Sequence, residues 1–166
     1  MPNWAEGNIR LRGTPDQIVE FLQNELLYVG TGHDFETVEV APDVHRGEFL
    51  DVRLPKDAKE QVKFTGCLYV KGTRRNFIDG ISGKYLPKTK EQFILCLNNF
   101  RAAWYVNAEP YVEKSKKYGI DIRIVVNEMG MEFGQRIEII KGELVMDEER
   151  KYQNWWCDAD FPEMGG

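Results

Sequence analysis

Gly7-Asn8-Ile9-Arg10-Leu11-Arg12-Gly13-Thr14-Pro15-Asp16-Gln17 decides how the rest of the chain is read. Apolar and polar residues alternate from Ile9 to Arg12, the pattern of a half-buried strand. The strand then runs straight into a helix start. Thr14 can cap, Pro15 suits the first helical position, and Gln17 completes a capping box. Ile18, Phe21, Leu22 and Leu26 recur on one helical face, which predicts a helix over 15–27 that stops before Gly30-Thr31-Gly32.

Working outward, Ile120-Asp121-Ile122-Arg123-Ile124-Val125-Val126 alternates and is rich in β-branched residues, so it predicts a strand. A second helix is predicted over 108–118, with Asn107 as cap, Pro110 in the first turn and Gly119 as stop. Lys114, Lys116 and Lys117 complement its negative end. Arg136 to Ile140 and Glu143 to Met146, joined by Lys141-Gly142, read as a hairpin. Gln92 to Leu97 reads as a central strand that Asn98-Asn99 turns back into Phe100 to Val106. Val62 to Thr65 and Cys67 to Val70 are further strand candidates. Lys56 to Lys63 reads as a short polar helix, and residues 31–63 fit short strands or irregular loop equally. The order predicts an α+β chain with a ferredoxin-like βαββαβ core. A mostly antiparallel sheet would carry its helices on one face, with an added C-terminal hairpin. The 166 residues are expected to form one domain, with an irregular insertion around 31–97 and an acidic aromatic tail over 143–166.

Net charge is −5, and it is not evenly spread. Between Glu143 and Gly166 seven acids face only Arg150 and Lys151, so this segment carries all of it. The remainder is neutral, which speaks against capture of nucleic acid by a global basic field. No apolar run approaches the ~18 residues of a membrane span. The start, Met1-Pro2-Asn3-Trp4-Ala5-Glu6, has neither a basic nor an apolar segment, so a cytoplasmic protein is expected. Cys67, Cys96 and Cys157 are widely spaced, and Cys67 and Cys96 lie in apolar runs. Reduced, metal-free thiols are expected rather than a zinc site with His33 or His45.

Several features resemble the YubB-type ferredoxin-like domain family of phage, prophage and plasmid proteins. They are Met1-Pro2-Asn3-Trp4, the passage from Asn8 to Phe21, Phe100-Arg101-Ala102-Ala103-Trp104 leading to Pro110, Lys117 to Asp121, and Glu128 to Gly134. The chain departs from the family at Ala5, where Cys is usual, and in the distance from Trp104 to Pro110. The resemblance implies a ferredoxin-like fold and a mobile-element origin; it supplies no active site and no cofactor.

The chemistry-bearing residues are sparse. Leu68-Tyr69-Val70-Lys71-Gly72 resembles the shorter motif of the RNA-recognition module, but it follows the first helix instead of preceding it, and no longer motif accompanies it. Arg74-Arg75, Lys88-Lys90 and Lys114-Lys117 would hold phosphate only if they converge. Tyr69, Phe77 and Tyr85 lie near them in sequence. Asp121, Glu128 and Glu132 are candidates for a divalent metal, though carboxylates around a Gly turn are usually plain surface. No GxSxG, P-loop, HExxH or paired CxxC occurs. The expected function is therefore that of a non-enzymatic accessory protein binding a host protein. An anti-CRISPR-like inhibitor of a host nuclease or defence complex fits this description. Asp147, Glu148, Glu149, Tyr152, Trp155, Trp156, Asp158 and Asp160 are the expected contacts, since carboxylates can occupy phosphate positions and aromatics supply contact area. A nucleic-acid-binding or metal-dependent nucleic-acid-processing factor is the alternative. No cofactor, metal or membrane is expected.

Overall fold

A computed structural model describes residues 3–28, 60–86 and 89–151. The elements are β1 (Trp4–Gly13), α1 (Pro15–Glu25), β2 (Leu26–Tyr28), β3 (Glu60–Val70), β4 (Asn76–Leu86), β5 (Phe93–Ala103), α2 (Glu109–Tyr118), β6 (Asp121–Glu128), β7 (Phe133–Ile140) and β8 (Glu143–Lys151). The strands form one sheet in the order β2-β3-β4-β5-β1-β6-β7-β8, with every pairing antiparallel.

The ferredoxin-like βαββαβ core, with helices on one face and a hairpin added, is not what the chain builds. A single eight-stranded antiparallel sheet dominates, and the described residues hold only two helices. The supposed insertion is largely sheet: β3 and β4 fill most of 60–86, and Glu60 to Lys63 is strand where a polar helix was predicted. Pairing with neighbours overrides weak local preference in such polar segments. Asn98-Asn99 does not reverse the chain either. β5 runs on to Ala103, and Asn99, at φ 61, sits in a bulge where two residues of β5 oppose Asn8 of β1.

The start of α1 and the end of α2 follow their signals; α1 stops at Glu25 rather than Leu27, and Ala108 rather than Asn107 is the N-cap of α2. Thr14 and Gln17 make the reciprocal capping box on α1. Gly119 closes α2 in the left-handed region at φ 64. Inward positions of the strands alternate with the outward ones: Ile9 and Leu11 on β1, Leu95 and Leu97 on β5, Ile122, Ile124 and Val126 on β6, Ile137 and Ile139 on β7. They join Ile18, Phe21 and Leu22 of α1 and Tyr111 and Tyr118 of α2 in one apolar cluster. Phe21 meets Tyr118 edge-on at 5.8 Å, which locks the two helices together. No described helix is long and apolar enough to cross a membrane.

β1 lies between β5 and β6, and Gly7 makes this possible. A β-carbon there would stand 2.0 Å from the Val125 carbonyl oxygen. Gly7→Ala is expected to cost about 2–3 kcal/mol of stability through forced displacement of β6. Urea unfolding measures this, and a loss below about 0.5 kcal/mol would show that the close approach is not required.

Candidate functional site

The sheet turns one face away from the apolar cluster. On this outer face stand Arg10 and Arg12 of β1, Arg101 of β5, Arg123 of β6, Arg136 of β7 and Arg150 of β8. Strand alternation delivers them all to one side, although they are scattered through the sequence. Carboxylates are interleaved: Arg12 pairs with Asp121 at 2.7 Å, Arg101 with Asp79 at 3.1 Å and Arg150 with Glu148 at 2.8 Å.

Aromatic rings gather at the end of this face where β1 begins. Trp4 meets Phe77 edge-on at 6.0 Å, and Phe77 meets Tyr69 at 5.7 Å. Arg75 and Arg101 stand 5.6 and 5.1 Å from the centre of the Trp4 ring. Just past β5, Trp104 holds a left-handed backbone at φ 67. Its N–H donates to the Asn3 carbonyl at 2.9 Å, and the Tyr105 N–H reaches back to the Ala103 carbonyl at 3.0 Å. This closure around a positive φ is the strained form of the γ-turn, rare for a bulky residue. Arg74 lies 5.0 Å from the Trp104 ring centre. Trp104 remains 37% exposed and Tyr105 53%.

The loop is pinned on both sides of these rings. The Arg75 backbone, itself left-handed at φ 56, accepts the Ala103 N–H at 3.2 Å. Downstream, the buried Gln135 side chain accepts the Val106 N–H and donates to the Val106 carbonyl, both at 2.9 Å. Gln135 also donates to Asp147 at 2.9 Å. Two exposed rings are thus presented on a fixed backbone, with the Arg74 guanidinium beside the first.

Farther along the same face, Arg10, Arg12, Arg123, Asp121, Glu138 and Ile94 line a shallow cleft of about 110 Å³ that opens to solvent. Arg10 of β1 lies directly opposite Arg123 of β6. Arg123 in turn lies opposite Glu138 of β7.

The predicted acidic contacts are not brought together. Alternation along β8 places Asp147 and Glu149 on one side and Glu148, held by Arg150, on the other. Asp147 works as a buttress for the Trp104 loop through Gln135. Tyr152, Trp155, Trp156, Asp158 and Asp160 lie outside the described residues, as do Cys157, His33 and His45. The carboxylates proposed for a metal are spread out. Glu128 receives the Gly130 and Met131 N–H groups at 2.6 Å each, while Asp121, at the opposite end of β6, binds Arg12 and the Lys141 N–H. Among the described residues no group of three or more metal-ligating side chains occurs. Cys67 is buried beside Asp79 and Arg101; burial, reinforced by Asp79, pushes its thiol up to about 11, which keeps it protonated and unreactive at neutral pH.

Trp104 and Tyr105 were missed as site residues because Phe100 to Val106 reads as uninterrupted strand. Trp104 carried no turn signal, since its positive φ is imposed by Asn3 and Ala103 rather than by its own chemistry. Arg74-Arg75 was visible as a basic pair, and its convergence with Tyr69, Phe77 and Trp4 required the sheet order. No family model matches this chain, and comparison with curated proteins and with solved structures finds no significant similarity.

Proposed function

We propose that this chain is a binding protein for single-stranded nucleic acid, engaged at the Trp104 loop. The observation that carries this reading is Trp104 itself. A bulky aromatic residue is held in a strained backbone, more than a third exposed, with Arg74 against its ring. Strain of this kind concentrates where a side chain must be presented. A base stacks on such a ring with little regard to sequence, and neighbouring arginines take the phosphates. The net charge of −5 does not oppose this, because the excess of acids over bases falls within 143–166 and the remainder of the chain is neutral.

Titration of a fluorescein-labelled oligothymidylate of about twelve nucleotides tests the reading. Binding is expected to weaken as salt rises, with a slope that falls by about 0.7 in Arg74→Gln if that side chain holds one phosphate. Absence of binding to both oligothymidylate and oligouridylate at low salt would end the proposal.

A second reading keeps the host-protein partner expected from the acidic segment, including a host nuclease or defence complex. It is favoured by β8, an edge strand among the described residues, where Leu144 (48% exposed) and Val145 (58%) accompany Glu143 and Glu149. Apolar groups on an acidic edge strand suit a basic protein partner. A partner retained by the unchanged chain and lost by Val145→Lys/Glu149→Lys would support it; equal retention would remove it.

A further inference from the structure

We infer that the turn between β6 and β7, which carries Met129 and Met131, is a second base-binding platform for the nucleic-acid strand that stacks on Trp104. This rests on the proposed single-strand binding at the Trp104 loop and extends it along the end of the sheet. The strand order places the two loops close together: Trp104 follows β5, Met129 follows β6, and β1 begins between them. Asn3 joins them. Its carbonyl accepts the Trp104 N–H at 2.9 Å, and its side chain lies against the turn, where a β-carbon on Gly130 would stand 2.5 Å from Asn3 Nδ2. Met129 is 78% exposed and Met131 57%. Ile94, Leu144 and Val145 apart, every exposed large apolar side chain among the described residues belongs to one of these two loops. Apolar exposure gathered in this way marks a binding surface.

The turn, like the Trp104 loop, is pinned. The buried Glu128 carboxylate receives the Gly130 and Met131 N–H groups, both at 2.6 Å. Glu132 ends the turn in the left-handed region at φ 55. The backbone is therefore set before a ligand arrives, and only the thioether chains adapt. A polarisable thioether packs well against an aromatic ring, and its flexibility suits a base of any identity. Exposed Glu132 repels phosphate, so the bases and not the sugar-phosphate backbone face the turn. Two inter-strand steps of about 4.8 Å separate the ends of β5 and β6, roughly 10 Å in all. At ~3.4 Å per stacked nucleotide the two platforms take bases about three positions apart.

The test uses the full chain and the oligothymidylate of about twelve nucleotides, with Met129→Ser/Met131→Ser. This variant is expected to bind about tenfold more weakly, through the loss of two thioether–base contacts. Its salt slope should stay as in the unchanged chain, because no charge is removed. In the unchanged chain the ε-methyl resonances of Met129 and Met131 should both move upfield as the oligothymidylate is added, the ring-current effect of a base lying over them. Unchanged affinity in the serine variant would overturn the second platform while leaving the Trp104 reading intact. Weaker affinity with a shallower salt slope would also reject it, since phosphate contacts would then have been lost instead. Failure of the unchanged chain to bind the oligothymidylate would overturn both. If the double variant does not fold, the methyl resonances decide alone: movement of both supports the platform, and a stationary methyl at either position rejects it.

Discussion

Glu25→Gln is expected to destabilise the chain by about 3–5 kcal/mol, the cost of leaving a buried charge without its partner. Glu25 is the last residue of α1, and its carboxylate is buried between the helices. Lys114, whose side chain is 9% exposed, pairs with it at 3.2 Å; Lys117 reaches it at 2.8 Å and the Tyr118 hydroxyl at 2.5 Å. A carboxylate at the C-terminal end of a helix opposes the dipole, so these donors are needed to hold it. Lys71 completes the end of α1, its N–H donating to the Glu25 carbonyl and its ammonium to the Asn24 carbonyl. Burial is the largest single influence on Glu25 and pushes its pKa up, but the hydrogen bonds from Lys117 and Tyr118 and the Lys114 charge together outweigh it. The folded pKa lies below the ordinary 4.5. A depressed folded pKa means that the stabilisation is present above 4.5 and is lost as pH falls through the folded value. Guanidinium unfolding at a series of pH values should therefore show a falling acid limb that Glu25→Gln flattens. Glu25→Gln/Lys114→Met should recover most of the loss, because the stranded ammonium is gone. If the single change costs less than about 1 kcal/mol, the network behaves as a surface pair and this account of the α1–α2 junction is wrong.

The legible parts of this chain were those where local chemistry alone decides the outcome. Thr14-Pro15-Asp16-Gln17 fix the start of α1 and Gly119 the end of α2 through their own side chains or backbone freedom. Asn107, by contrast, does not cap α2, whose N-cap is Ala108, and α1 ends at Glu25 because Leu26 and Leu27 pair with β3 instead. Ile120 to Val126 alternates so strongly that only a strand satisfies it. Asn76 to Leu86 has no such pattern, contains Gly80 and Gly83, and becomes β4 because β3 pairs along its length and β5 pairs with Asn76 to Ile78. Missing β4, and reading β8 as a short hairpin arm with a tail, shrank an eight-stranded sheet to a small core. The same limit governed the site. The acids of 147–149 are contiguous in sequence, yet a strand divides contiguous residues between two faces. Arg10 and Arg123 are remote in sequence, yet the pairing of β1 with β6 lays them opposite each other. Charge clustering along a chain predicts a charged surface only where the segment is helix or loop, and here it is strand.

Trp104→Ala is expected to weaken single-strand binding at least thirtyfold, about 2 kcal/mol for the loss of one stacked base. The change removes a ring and leaves the backbone strain, so it does not separate presentation from packing. Trp104→Gly does. Both variants lack the ring, its contact with Arg74 and its share of burial. They differ mainly in the cost of φ 67, which alanine bears and glycine does not. Trp104→Gly should therefore be more stable than Trp104→Ala by about 1 kcal/mol, even though glycine loses more backbone freedom on folding. Binding should be equally poor in the two. That combination, a difference in melting and none in affinity, is what a ring held at an energetic cost for an external ligand requires. If Trp104 served only to cover Trp4 and the end of β1, both variants would lose stability in step with the lost apolar contact and retain binding. If the loop relaxes so that the positive φ disappears, the alanine and glycine variants will melt together. Gln135→Leu supplies the converse: the ring stays, but the clamp on Val106 and the support from Asp147 are removed. Affinity should fall in this variant while the exposed rings remain chemically intact, because a stacking surface free to move must be ordered again on binding.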